Sequence, residues 1–139
     1  MAVALSRAVR RREVRWLWPL GAAMSVAAVL VAAMPFGDFQ DHPHWARVRW
    51  IPFLSPPVTL VDCLLNVALF VPVGYLFRQT AVLRHTSVVV VVSAILSATA
   101  EYTQVYSHAR VPSVTDVCCN VIGAVLGAVA ARRSARTHR

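Results

Sequence analysis

Residues Glu101 to Gly127 read E-Y-T-Q-V-Y-S-H-A-R-V-P-S-V-T-D-V-C-C-N-V-I-G-A-V-L-G. The stretch closes one strongly apolar segment and opens another, yet it carries Glu101, Gln104, His108, Arg110, Asp116 and Asn120. An Asp at the centre of an inserted helix costs about 2.5–3.5 kcal/mol. Polar groups in and beside a hydrocarbon-spanning segment are therefore functional-site candidates by default. Upstream, Ser93, Ser97, Glu101, Gln104 and His108 recur at spacings of four, four, three and four, which places them on one helix face. Downstream, Asp116, Asn120, Gly123 and Gly127 share a stripe of the next helix, and Gly123 and Gly127 form a G-x-x-x-G that admits a neighbouring backbone.

Outward from this stretch the chain is a succession of apolar runs. It has 139 residues, 58% hydrophobic and 14% charged, against about 25% charge in an ordinary soluble domain. Four spans are predicted, near residues 16–36, 58–77, 87–106 and 113–131, each close to the roughly 20 residues that cross a bilayer. The run of valines from Val88 reads as helix because it belongs to a continuous apolar segment of that length. The first run competes with a signal peptide but exceeds the 7–15 apolar residues of such a segment. Pro72 and Gly74 lie inside the second span, where neighbouring helices can re-satisfy the freed backbone, so a kink is expected near Pro72. The expected class is all-α, a four-helix transmembrane bundle, with Pro72, Gly74, Gly123 and Gly127 as its packing positions. Residues 1–15 and 132–139 are expected to be basic cytoplasmic ends flanking a membrane domain over residues 16–131.

All fourteen basic residues are Arg, and the net charge is +8. Eleven of them lie in the N-terminal segment, the second connection and the tail, whereas the other two connections hold only Arg47, Arg49 and Arg110. The positive-inside rule then puts both termini in the cytoplasm. No nucleic-acid-binding motif accompanies the charge, so nucleic acid is not an expected partner. Trp45, Trp50 and Phe53 in the first connection read as interfacial anchors. His42 and His44 lack the ligand set of a metal site. Cys63, Cys118 and Cys119 show neither zinc nor redox spacing. No metal and no cofactor are expected.

The second and fourth spans begin alike, as T59-L-V-D62-C-L-L-N66-V and S113-V-T-D116-V-C-C-N120-V. A repeat of helical hairpins related by an axis along the membrane normal would make the bundle pseudo-symmetric and face the two motifs toward each other. Two readings of the aspartates stay open. As capping boxes, [ST]-x-x-D ahead of an apolar run satisfies the first helical amides. That leaves Asn66 and Asn120 unexplained, since they lie past the first turn. As a cluster, Asp62, Asn66, Glu101, Gln104, Arg110, Asp116 and Asn120 meet near the outer face, with Arg110 paired to Glu101, Asp116 or both. Such a cluster serves as a binding site or as interhelical glue.

These motifs resemble the VanZ family of small bacterial membrane proteins. The family's early D-x-x-x-N-x-x-x-F-x-P-x-G element reads here D62-C-L-L-N66-V-A-L-F70-V-P72-V-G74. Its later E-x-x-Q, Arg and D-x-x-x-N-x-x-G-x-x-x-G read E101-Y-T-Q104, Arg110 and D116-V-C-C-N120-V-I-G123-A-V-L-G127. The resemblance covers roughly residues 52–131. It implies a multi-pass protein of the bacterial cytoplasmic membrane, associated with resistance to teicoplanin-type glycopeptides. Its expected partners are the lipid bilayer and an envelope amphiphile such as a lipid-linked cell-wall precursor or a lipoglycopeptide.

Three functions follow as expectations. The first is a non-catalytic envelope protein that meets an amphiphilic ligand at the outer leaflet. The second is an intramembrane enzyme on a lipid or lipid-linked substrate, with Glu101 or Asp116 as general base and Arg110 on a phosphate or oxyanion. No nucleophile with an adjacent base is fixed by spacing. The third is a small transporter subunit, which four helices would form only as a homo-oligomer through the G-x-x-x-G face.

Overall fold

Long apolar runs with polar breaks fold as helices, because a helix satisfies all its backbone groups within one segment. The computed structural model describes residues 2–54, 59–80 and 83–137, with side chains from Leu17 onward. Four α-helices follow in order: α1 Ala2–Ala33, α2 Leu60–Gln79, α3 Thr86–Gln104 and α4 Val114–Thr137, with one short 3-10 turn at Trp45–Arg47. No strand occurs among the described residues; two isolated bridges pair Phe39 with Ser107 and Arg49 with Ser113. Val58 at the head of the expected second span, two residues of the second connection, the last two of the tail and the side chain of Trp16 lie outside the described residues.

Helices α2, α3 and α4 are long and apolar enough to cross a membrane. The apolar part of α1, Leu17–Ala33, is shorter, about 26 Å at 1.5 Å per residue against the roughly 30 Å of a hydrocarbon core. Its end at Ala33 comes three residues before the expected one at Phe36. Met34 precedes Pro35, and the residue before a proline is pushed out of the α region. At the other end α1 is continuous back through the arginine-rich segment, where Ala, Leu and Arg are strong helix formers. Likewise α4 continues past the expected Ala131 to Thr137.

The closest packing is between α2 and α4. A β-carbon on Gly74 would collide with the carbonyl of Ala124, one on Gly123 with the carbonyl of Val67, and one on Gly127 with the carbonyl of Val71 and the amide of Tyr75. Glycine is required at all three because backbone lies against backbone, the approach that small residues permit in membrane helices. Around this seam Phe70, Val73 and Phe77 of α2 pack with Ala124 and Ala128 of α4, Val89 of α3 and Ala22 and Val29 of α1. Pro72 takes no part in that contact. It sits inside α2 on the exposed face, and the helix runs through it. Outward-facing Val61 and Leu64 of α2, Ile95 of α3 and Leu126 of α4 are each more than half exposed, an apolar jacket that suits lipid rather than water.

The first connection lies across the end of the bundle where α3 hands over to α4. Backbone bonds run from the Gln40 amide to the Tyr106 carbonyl (2.7 Å), from His44 to Val105 (2.8 Å) and from Arg49 to Pro112 (2.9 Å). Asp38 fastens it further, accepting from Ser107 Oγ and from the Ala109 amide, both at 2.6 Å. Phe53 holds a left-handed backbone (φ 61°), and its amide donates to Thr115 Oγ1 at 2.9 Å. Trp45 stacks on Trp50 with centroids 6.4 Å apart and touches Tyr102 at 6.0 Å, giving this end a cap of interfacial aromatics.

Candidate functional site

Each predicted site residue owes its position to a local feature of its helix. Asp62 occupies the third position of α2 and closes a full capping box: its amide donates to Thr59 Oγ1 (3.1 Å), while its Oδ2 accepts from the Thr59 hydroxyl (2.6 Å) and amide (3.3 Å). The matching motif at α4 is wired differently. There the Ser113 amide donates to Oε2 of Glu101 at 2.8 Å, so an acid from the preceding helix takes the place that Asp62 takes for itself. The Ser113 hydroxyl accepts from the Thr115 amide (3.2 Å). Glu101 thereby ties the last turn of α3 to the first of α4.

One turn deeper, Asn120 is buried, and its Nδ2 donates to Ser97 Oγ at 2.8 Å. Its Oδ1 is buried with no hydrogen-bond partner. A shielded acceptor of this kind costs about 1–3 kcal/mol when left unpaired. Gln104 and Arg110 turn toward α1 instead: Gln104 Nε2 donates to the carbonyl of Ala33 (3.3 Å), and Arg110 Nη2 to the carbonyl of Ala32 (3.2 Å). These are among the last carbonyls of a helix, which have no partner within it and carry partial negative charge. Among the described residues no ion pair joins Arg110 to Glu101 or Asp116, so the expected pairing is replaced by this helix-end contact.

Asp62, Asn66, Glu101, Gln104, Arg110, Asp116 and Asn120 all line one cavity of about 410 Å³. The walls between them are apolar: Val29, Ala32 and Ala33 of α1, Leu65, Leu69 and Phe70 of α2, and Ala100 of α3. From Asp62 to Phe70 the lining descends about 12 Å along α2 at 1.5 Å per residue. Asp62, Glu101, Asp116, Gln104 and Arg110 ring the shallow end, Asn66 and Asn120 come a turn deeper, and Leu69, Phe70 and Val29 close the bottom. Three carboxyl groups and three carboxamides line the cavity with Arg110, so it offers mostly hydrogen-bond acceptors to whatever enters it.

His108, on the predicted polar stripe, lies past the end of α3 in the connecting loop. Its ring contacts that of His44 (4.1 Å between centroids), which in turn meets His42 (4.7 Å). Burial, then the neighbouring His108 and His42, hold the His44 imidazole below its usual pKa. No group of His, Cys, Asp or Glu among the described residues is arranged to hold a metal ion. Two participants escaped the sequence reading. Ser97 sat on the polar stripe but gave no sign that Asn120 would be its partner. Asp38 was one of several polar loop residues, and only the spatial closure of the loop reveals what it binds.

A family model described as VanZ/LLP1 matches residues 16–135. No curated protein and no solved structure was found to match the chain.

Proposed function

The chain belongs to the VanZ/LLP1 family of membrane proteins, and on that footing we propose that its cavity receives the polar head of an amphiphile from the outer leaflet of the bacterial cytoplasmic membrane. The observation that carries this reading is the convergence of all seven polar side chains, from three helices and one loop, on a single lipid-depth cavity. Its gradient from charged rim to apolar floor matches a molecule with a hydrophilic head and a hydrocarbon body. The excess of acceptors favours a head rich in hydroxyl or ammonium donors, as in a glycosylated or amino-bearing lipid or lipoglycopeptide. The unpartnered Oδ1 of Asn120 would accept from such a donor.

The arginine distribution supports the orientation. The cavity opens at the arginine-poor end, which the positive-inside rule assigns to the exterior, with both termini in the cytoplasm. An outward site for lipid-like ligands gives a physical route to altered susceptibility toward teicoplanin-type glycopeptides. The lining contains no Ser, Thr, Cys or His, so catalysis there would rest on its carboxyl groups and Arg110 alone. The charged rim and apolar floor are what favour binding as the reading.

Expression of the protein in a susceptible bacterial host tests the proposal. Teicoplanin susceptibility should fall while vancomycin susceptibility stays level, and the Asn120→Leu variant should lose the effect while still accumulating in the membrane. No change for either drug would count against the resistance reading.

A further inference from the structure

At the opposite end of the bundle a second recess is lined by three arginines and no acid. Arg78 and Gln79 from the last turn of α2 meet Arg132 and Arg136 of α4 around a volume of about 250 Å³, floored by Ala131 and Ala135. Arg132 and Arg136 are one turn apart and so lie on the same helix face. The two alanines repeat that spacing and keep the floor low. No acid lines the recess, and the sequence holds none between Asp62 and Glu101 or after Asp116. The Nε of Arg78 is shielded from solvent and has no acceptor. A shielded donor on a charged group is costly unless an acceptor arrives.

We infer that this recess binds a phosphoryl group at the membrane surface. Guanidinium forks match the oxygens of a phosphate in geometry as well as charge. Three of them, with the Gln79 amide, surround a space sized for one tetrahedral anion and its ester substituents. The backbone cannot be the attractor, because the C-terminal end of α2 carries partial negative charge. The side chains must hold the anion. The recess sits where a spanning helix leaves the hydrocarbon, the level of lipid headgroups, and basic pockets between helices at that level take anionic lipids. The same chemistry would also recognise free phosphate. This inference is independent of the acceptor-rich cavity at the other end.

The test uses the full-length protein in a neutral detergent, with thermal unfolding followed by tryptophan fluorescence. The probes are short-chain phosphatidylglycerol, short-chain phosphatidylcholine and inorganic phosphate. Two double variants are compared: R132Q/R136Q inside the recess, and R84Q/R133Q, which removes equal charge from the same end but outside it. At about fivefold per arginine, R132Q/R136Q should weaken phosphatidylglycerol binding on the order of 30-fold, and R84Q/R133Q should leave it unchanged. Inorganic phosphate stabilising the wild type with the same variant dependence identifies the free anion as a sufficient ligand. A response to phosphatidylglycerol alone identifies the lipid headgroup. Equal loss in both double variants would reduce the recess to diffuse surface charge and overturn the inference. Equal binding of phosphatidylcholine, or no response to either anionic probe, would overturn it too.

Discussion

The substitution Gly127→Ala adds one methyl group to the α2–α4 seam. That methyl would meet the carbonyl of Val71 and the amide of Tyr75, 2.7 Å away. Both are backbone atoms within a helix and cannot rotate aside, so the helices must separate. Overpacking of a tight contact costs about 1–3 kcal/mol, and the better helix propensity of alanine returns about 1 kcal/mol. Because the obstruction is backbone, the upper part of the range applies, and the variant should be about 1–2 kcal/mol less stable than the wild type. Gly21→Ala is the matched control. Its methyl would face only the side chain of Leu76, with the nearest atom at 3.3 Å, and that side chain can swing away. The control should lie between neutral and about 1 kcal/mol more stable. Unfolding of both full-length variants by sodium dodecyl sulfate in lipid–detergent bicelles, followed by circular dichroism, measures the difference. Equal stability of the two would refute the claim that backbone contact at this seam sets the helix spacing.

At the α3–α4 corner, Glu101→Gln keeps an acceptor for the Ser113 amide, whereas Glu101→Ala leaves that buried donor unpaired. The alanine variant should lose about 1–3 kcal/mol and the glutamine variant distinctly less; equal losses in the same unfolding assay would show that the Ser113 contact is unimportant. The first connection should loosen in acid, through two groups. Its bonds to Ser107 and Ala109 hold the Asp38 carboxyl below its ordinary range, so its contribution is present above the unfolded pKa and is lost as pH falls through the lower folded value. The depressed His44 acts in the same sense at higher pH, since below about 6.5 the unfolded chain takes a proton that the folded ring resists. Tryptophan fluorescence of Trp45 and Trp50 should therefore report two acid-side changes, and Asp38→Asn should remove only the lower one.

The periodic parts of this architecture were legible in the sequence because they depend only on residues a few positions apart. The apolar runs announced helices, and the four-residue rhythm from Ser93 put Ser97, Glu101 and Gln104 on one face. The small-residue spacing at Gly123 and Gly127 is itself a local pattern. What stayed hidden depends on pairs far apart in the chain. The two [ST]-x-x-D motifs look alike, yet Asp62 caps its own helix while Glu101 fills that position for α4. Nothing local distinguishes them. Arg110 was expected to seek a carboxylate, but the free carbonyls at the end of α1 lay nearer, and that helix end could be placed only once Pro35 had stopped the helix. Pro72 shows the opposite limit: it stands next to the seam in sequence and faces away from it in space.

The unlike wiring of the two helix starts bears on how the protein is made. Helix α2 closes its capping box within four consecutive residues, Thr59 to Asp62, and needs no other helix for it. The amino end of α4 is completed by a carboxylate supplied from the helix synthesised just before it. The last two helices are thus joined at their corner by a bond that neither can make alone, which favours their settling as one hairpin.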